Sequence, residues 1–320
     1  MFKPRKPDPM KDTFASPADR SDANGDLMVP AQGSFTRPRR FFSGDDQTRL
    51  GGGDAKDKGL RLDIAAQELP TTYGTTSTLP ASSPRDLWAL LHEQAPGNDQ
   101  HILAGPQAEQ DFRATDVSRA FDLLRTRLRQ TVKQNGWVNI AVISPTSGCG
   151  TTFTAANLAA SLSRVPSSRT VLMDFNMRRP GLARVLDMDA GQTGDLRDFL
   201  AGDVAISDFI TRASDTLAVG LCGDQQQDPA EILQDPATAV SLAEMRAALN
   251  PDIVLYDMPP MLAYDDAAAF LPQLDGVLLV SDGTQTMAKH LAECERALDG
   301  QVPLLGVILN RARASSIERF

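Results

Sequence analysis

VNIAVISPTSGCGTTFTAANL, residues 138–158, is the stretch whose reading decides the fold. Ile140-Ala141-Val142-Ile143 is a continuous, mostly β-branched run of the kind buried on both faces of a parallel sheet. Ser144-Pro145 ends it, because proline has no N–H to give to a ladder. Gly148 and Gly150 then admit positive φ, so that successive N–H groups can converge on an anion at the positive end of the following helix. Thr151 and Thr152 open that helix, and Ala155, Ala156, Leu158 and Ala159 give it a small packing face. The layout is that of a phosphate-binding loop. A GxxxxGK[ST] loop places lysine after its second glycine and a magnesium-binding hydroxyl next. Here Thr152 supplies the hydroxyl, while Thr151 stands where the lysine should be. A β-turn-α connection whose glycines serve packing alone reads the same way locally, so the rest of the chain has to decide.

Downstream of the loop, strands and helices alternate regularly. Thr170 to Met173 reads as a second strand ending in Asp174, followed by the turn Arg178-Arg179-Pro180-Gly181 and short helices around Ala183 to Leu186 and Leu196 to Ala201. Thr216 to Leu221 is a third strand, and Pro229 to Leu233 and Thr238 to Leu249 are helical. Ile253 to Tyr256 is a fourth strand, ending in Asp257-Met258-Pro259-Pro260. Gly276 to Ser281, a helix from Thr286 to Leu298, and Leu304 to Asn310 complete the pattern. Such alternation predicts a doubly wound α/β fold, mostly parallel, with helices on both faces. Ligands of these sheets sit at the carboxyl ends of the strands, where Gly148 to Thr152, Asp174 and Asp257 all fall. Upstream, Val117 to Val132 is amphipathic, with Phe121, Leu124, Leu128 and Val132 on one stripe, so order is expected from near Phe112.

Residues 1–112 are rich in Pro, Gly, Asp, Ser and Thr and read as a disordered tail and linker; 113–320 form the P-loop domain. Two islands interrupt the tail. Thr36 to Phe42, TRPRRFF, is a basic patch with aromatic neighbours that could meet an anionic membrane surface or a partner. Residues 85–94, RDLWALLHEQ, put Leu87, Leu90 and Leu91 beside Trp88 and predict a short docking helix. Net charge is −9 over 320 residues, which argues against broad nucleic-acid binding. The start MFKPRKPDPMKD has no apolar core after its charges and no run is long enough to span a bilayer, so a cytoplasmic protein without its own transmembrane span is expected. Cys149, Cys222 and Cys294 have neither metal-site spacing nor disulfide arithmetic.

The succession ISPTSGCGTT, VLMDFNMRRP, DPAEILQDP, IVLYDMPP, DGVLLV and LLGVILNRA resembles the bacterial tyrosine kinases (BY-kinases) of capsule and exopolysaccharide synthesis. These are the CpsD/CapB-like members of the MinD/ParA P-loop superfamily. The likeness runs from about Phe121 to Arg311. It implies a Walker A loop at Ser147, Gly148, Cys149, Gly150, Thr151 and Thr152, binding ATP or ADP, with Asn310 of the last block also at the nucleotide. It implies magnesium held by Thr152, Asp174 of Walker A′ and Asp257 of Walker B, and catalytic roles for Asp174, Asp257 and Arg178. It further implies a membrane polysaccharide co-polymerase or chain-length regulator as partner, a homo-oligomer, and a place at the inner face of the membrane.

Four departures stand against full activity. Thr151 replaces the Walker A lysine and Asn176 the second Walker A′ acid. Removing one such preorganised charge typically lowers rate about a hundred- to a thousandfold. The family's tyrosine-rich tail is represented by SSIERF, and the tyrosines are only Tyr73, Tyr256 and Tyr264. The family's Glu-Arg-Arg oligomerisation pattern appears as Arg119, Asp122, Arg125, a charge-swapped version. The expectation is a tyrosine-kinase-like regulator with weakened or lost phosphotransfer. The alternatives are an active kinase in which Arg178, Arg179 or a partner's basic residue supplies the charge, and a MinD/ParA-like positioning ATPase, which would need a loop lysine that SPTSGCG lacks.

Overall fold

A computed structural model of the chain describes residues 86–97, 112–192 and 194–312. The tail up to Arg85, with TRPRRFF and Tyr73, and the segment SSIERF lie outside these residues. The described elements, in chain order, begin with a 3₁₀ turn at Leu87–Leu90, β1 (His92–Glu93), α1 (Phe112–Asn135), β2 (Asn139–Ile143), α2 (Thr151–Ser163) and β3 (Thr170–Asp174). Next come α3 (Leu182–Leu186), α4 (Leu196–Ala201), α5 (Ile206–Phe209), β4 (Thr211–Arg212), β5 (Leu217–Gly220), α6 (Pro229–Gln234) and α7 (Pro236–Leu249). The chain continues through β6 (Ile253–Asp257), α8 (Asp266–Phe270), β7 (Gly276–Asp282), α9 (Ala288–Leu298) and β8 (Leu304–Asn310).

The strands form one sheet of order β1-β4-β5-β3-β6-β2-β7-β8, parallel except between β4 and β5. β2, β3 and β6 lie at its centre and every residue in them is buried. Their side chains alternate between two cores: Ile140 and Val142 face α1 and α2, whereas Ala141 and Ile143 face the aromatic and Met-rich side. On that second side Phe175, Tyr256 and Phe270 pack against one another in tilted and edge-on contacts at centroid distances of 4.9–5.0 Å, and Tyr256 donates its hydroxyl to Asn139 Oδ1 (3.2 Å). On the first side the predicted stripe of α1 is confirmed, with Phe121, Leu128 and Val132 buried against α2.

The expected docking helix at 85–94 is corrected: only Leu87–Leu90 is helical, as a 3₁₀ turn, and His92–Glu93 joins the sheet as β1, parallel to β4. Helical spacing predicted Leu90 on the buried face, but Leu90 is exposed while Trp88 and Leu91 are buried. The Trp88 indole N–H donates to Asp215 O (3.0 Å), and the Arg169 guanidinium lies 5.1 Å from its ring while pairing with Asp86. The segment therefore docks on its own domain. Trp88→Ala is expected to cost about 3 kcal/mol, read as a lowered urea midpoint. β4 was also unforeseen; it forms a hairpin with β5 through Ala213–Thr216, where the Ser214 hydroxyl accepts the Leu217 N–H (3.1 Å).

The Asp122 carboxylate binds Arg125, Arg164 and the Ser161 hydroxyl, tying α1 to α2 within the chain. The charge-swapped pattern is thus at least partly committed internally. No helix among the described residues is long and apolar enough to cross a membrane.

Candidate nucleotide site

The loop between β2 and α2 takes the conformation that its glycines permit. Gly148 has φ +84° and Gly150, which caps α2, has φ +90°. A Cβ on Gly150 would lie 2.2 Å from Asn310 Nδ2, so this position excludes side chains on both counts. Asn310 Nδ2 donates to Cys149 O (2.9 Å), binding the end of β8 to the loop.

Sheet register brings the carboxylates to the loop. Asp174 and Asp257 are directly paired residues of adjacent parallel strands, and Asp257 is paired with Val142 of β2 on its other side. The turn after β6 is fastened alongside, since Met258 N–H donates to Val142 O (3.1 Å) and Met261 N–H to Ser144 O (2.8 Å). Both carboxylates are fully buried. Their circumstances differ, however. Asp174 Oδ2 accepts the Gly181 and Leu182 N–H groups (3.1 and 3.0 Å) and Oδ1 accepts that of Asn176 (3.3 Å), so Asp174 anchors the start of α3. Among the described residues neither oxygen of Asp257 has a hydrogen-bond partner. Burial pushes Asp257 well above its ordinary pKa and the neighbouring Asp174 charge pushes the same way; the Thr152 hydroxyl opposes the rise without closing a hydrogen bond. Burial likewise raises Asp174, to about 7, against its three backbone donors.

A buried, unpartnered carboxylate costs stability unless a cation or donor meets it. Magnesium is commonly held by one or two carboxylates plus phosphate oxygens and water rather than by a protein cage. Among the described residues no cluster of three or more His, Cys, Asp or Glu forms a metal cage. Asp257 and Thr152, with Asp174 paired beside Asp257 in the sheet, are thus a donor set whose chemistry fits magnesium arriving with a polyphosphate.

Both raised carboxylates bind protons more tightly in the folded state, so the stability they contribute is complete below the ordinary carboxylate range and, for Asp174, is lost as pH rises through about 7. Asp282 has the opposite sign. Hydrogen bonds from Thr284, then Arg311, hold it down at about 2, and its contribution is lost only as pH falls below 4 towards that value. Urea midpoints are therefore expected to decline between pH 5 and pH 8, and added magnesium with ADP to flatten the decline. A midpoint that rises over this range would contradict the assignment.

In front of the loop is a cavity of about 260 Å³, lined by Ser147, Gly148, Gly150, Thr151 and Thr152, with Asn176 opposite. Of the predicted site residues, Asp174, Asp257, Cys149 and Asn310 do not line it: both carboxylates lie fully buried beneath it at the strand ends, Cys149 is fully buried with its sulfur 3.6 Å from the hydroxyls of Thr146 and Thr286, and Asn310 braces the loop from behind. Arg178 lines the cavity, but its guanidinium is engaged with Asp266 by two contacts of 2.8 Å and lies 4.5 Å from the Tyr264 ring. Sequence reasoning passed over Asp266, a fully buried carboxylate on α8, because the turn before it carries no periodic signal. It also gave no role to Arg311, whose Nη1 donates to Gly148 O (3.0 Å) and pairs with Asp282 Oδ2 (2.6 Å). The dipeptide Asn310-Arg311 at a strand end was the available signal.

Sheet order, loop and paired carboxylates define a domain of the P-loop NTPase type. No protein-family model matches the chain. EpsB of Ralstonia nicotianae, provisionally named a tyrosine-protein kinase, is 31% identical over 192 residues, 58% of this chain and 24% of EpsB. ExoP of Rhizobium meliloti, a succinoglycan biosynthesis transport protein, is 31% identical over 188 residues, 57% of this chain and 23% of ExoP. The tyrosine-protein kinase YwqD of Bacillus subtilis is 27% identical over 206 residues, 63% of this chain and 84% of YwqD. The chain thus spans about a quarter of the length of EpsB and ExoP. Among solved structures, the VpsO kinase domain superposes with a TM-score of 0.55 at 23% identity, covering 63% of this chain and 100% of that domain. The kinase domain of the Escherichia coli tyrosine kinase ETK gives 0.53 at 24%, covering 69% and 85%. The homologues of the chain are bacterial tyrosine-protein kinases, as its six sequence blocks imply, and the solved kinase domains share its fold.

Proposed function

We propose that the chain is a nucleotide-binding, tyrosine-kinase-like protein of exopolysaccharide or capsule assembly in which phosphotransfer is weakened or lost. It acts in the cytoplasm, at the inner face of the membrane, through a chain-length regulator that carries the membrane span. The observation that carries the nucleotide reading is the orphaned Asp257 carboxylate, paired across the sheet with Asp174 behind a glycine-shaped loop. Magnesium, when bound there with ATP or ADP, would supply charge neutralisation at the transferring phosphoryl group. The chain's own contributions are the loop amides, the Thr152 hydroxyl and Asp257. Weakened transfer rests on Thr151 and Asn176, which leave the cavity without the loop lysine and the second acid. It is also favoured by the two described tyrosines, since Tyr256 is locked in the core and Tyr264 lies under Arg178.

Calorimetric titration of the full chain with ATP and ADP, with and without magnesium, tests the reading. Magnesium-dependent binding with little phosphate incorporation is expected. Failure to bind either nucleotide overturns it, and robust autophosphorylation overturns its weakened part.

A further inference from the structure

The sequence withholds a positive charge from the loop at Thr151, and the structure places three arginines around the cavity: Arg178, Arg179 and Arg311. They are not equivalent. Arg178 is neutralised by the buried Asp266 carboxylate in a two-point pair and sits on an aromatic ring, so moving it would strand a buried charge. Arg179 is an exposed side chain on the turn that follows Asn176, and no hydrogen bond or ion pair among the described residues ties it to the loop. Arg311 is fixed on the loop itself. Its Nη1 donates to Gly148 O, and the preceding residue, Asn310, donates to Cys149 O, so two consecutive residues hold two consecutive loop carbonyls.

The backbone is set for this. Arg311 has φ +54°, an uncommon conformation for a residue with a Cβ, and its own N–H donates to Asn310 Oδ1 (2.9 Å). Gly283 lets the strand end approach, because a Cβ there would lie 3.2 Å from Arg311 O. Asp282, the ion partner, is saturated by other donors. Oδ1 accepts the Thr284 N–H and hydroxyl (2.7 and 2.6 Å), and Oδ2 accepts the Gln285 amide (3.1 Å) besides Arg311. Among the described residues both contacts of the guanidinium use Nη1, which leaves the planar donors of Nη2 and Nε for a ligand, on a side chain 56% exposed. A guanidinium presented in this way suits phosphate oxygens.

We propose that Arg311 supplies the positive charge that the loop lacks at Thr151, and so lets the cavity hold the polyphosphate of a nucleoside di- or triphosphate. The inference rests on the nucleotide reading above. It separates binding from transfer: a cation brought by the end of β8 steadies the bound phosphates without restoring the charge that a lysine inside the loop would provide at the reacting group.

The test is calorimetric titration of the full chain with magnesium-ADP and with AMP, using Arg311→Ala, Arg311→Gln, Arg311→Lys and the double variant Arg311→Ala/Thr151→Lys. Arg311→Gln keeps an amide donor for Gly148 O, so it serves where the alanine variant fails to fold. Loss of about tenfold or more in ADP affinity is expected for the alanine and glutamine variants, with a smaller loss for AMP. Partial retention is expected in Arg311→Lys and recovery in the double variant. ADP affinity unchanged in the glutamine variant, with the wild type binding, overturns the role of Arg311 and leaves the nucleotide reading standing. Equal losses for ADP and AMP that Thr151→Lys does not repair mean a mechanical brace and overturn it too. A wild type that binds neither nucleotide removes both readings.

Discussion

Thr151→Lys is expected to raise phosphate incorporation from ATP by about a hundred- to a thousandfold over the native chain. The native rate should be close to background. Thr151 is the first residue of α2 and lines the cavity, so a lysine there projects from the helix start into the space where phosphates would lie. The lysine adds a full charge at the point where negative charge redistributes during transfer. Arg311, tethered to Asp282 on the rim, is aimed from outside the loop. Labelled phosphate counted on the purified protein, with Thr151→Lys/Asp257→Asn as the inactive control, reads the effect. Equal rates for the native and lysine chains would show that the missing charge is not what limits transfer. Adding Asn176→Asp should raise the rate of the lysine variant further.

Asp257→Asn is expected to move two measurements in opposite directions. Stability at pH 8 should rise by roughly 1–3 kcal/mol, because a buried carboxylate with no partner is replaced by a neutral group of the same shape beside Asp174. The magnesium-dependent gain in nucleotide affinity should fall roughly ten- to a hundredfold. A carboxylate kept for structure alone would give the reverse stability change and leave magnesium dependence intact. Denaturant midpoints and calorimetry on the same preparation separate the two cases.

The central sheet was legible because its strands are short apolar runs bounded by turn formers, and each ends in the residue that matters: Ile143 before the loop, Asp174 and Asp257 at their carboxyl tips. Period alone could not place β1. RDLWALLHEQ has helical spacing, yet it turns only over Leu87–Leu90, which buries Trp88, and then extends so that His92–Glu93 pairs with β4 at the sheet edge. β4 escaped notice because a two-residue strand has no pattern of its own; only the Ser214-Asp215 turn marks it. The convergence of the loop with Asp174 and Asp257 was legible as strand order, because all three lie at the carboxyl ends of adjacent central strands. What each carboxylate does was beyond the sequence, because it depends on which backbone amides reach it: three reach Asp174 and none reaches Asp257. Arg178 illustrates the same limit, since its buried partner lies 88 residues further along.

The clamp on Trp88 gives the molecule a built-in optical reporter. The chain has two tryptophans, and the other, Trp137, is only partly buried at the mouth of β2. Light emitted from the sheltered indole beneath Arg169 should be blue-shifted and resistant to iodide, while Trp137 is quenched. Detachment of residues 86–97 would then register as a colour change in low urea, ahead of the cooperative loss of the sheet. Peeling of this edge could be followed separately from events at the loop on the far side of β3.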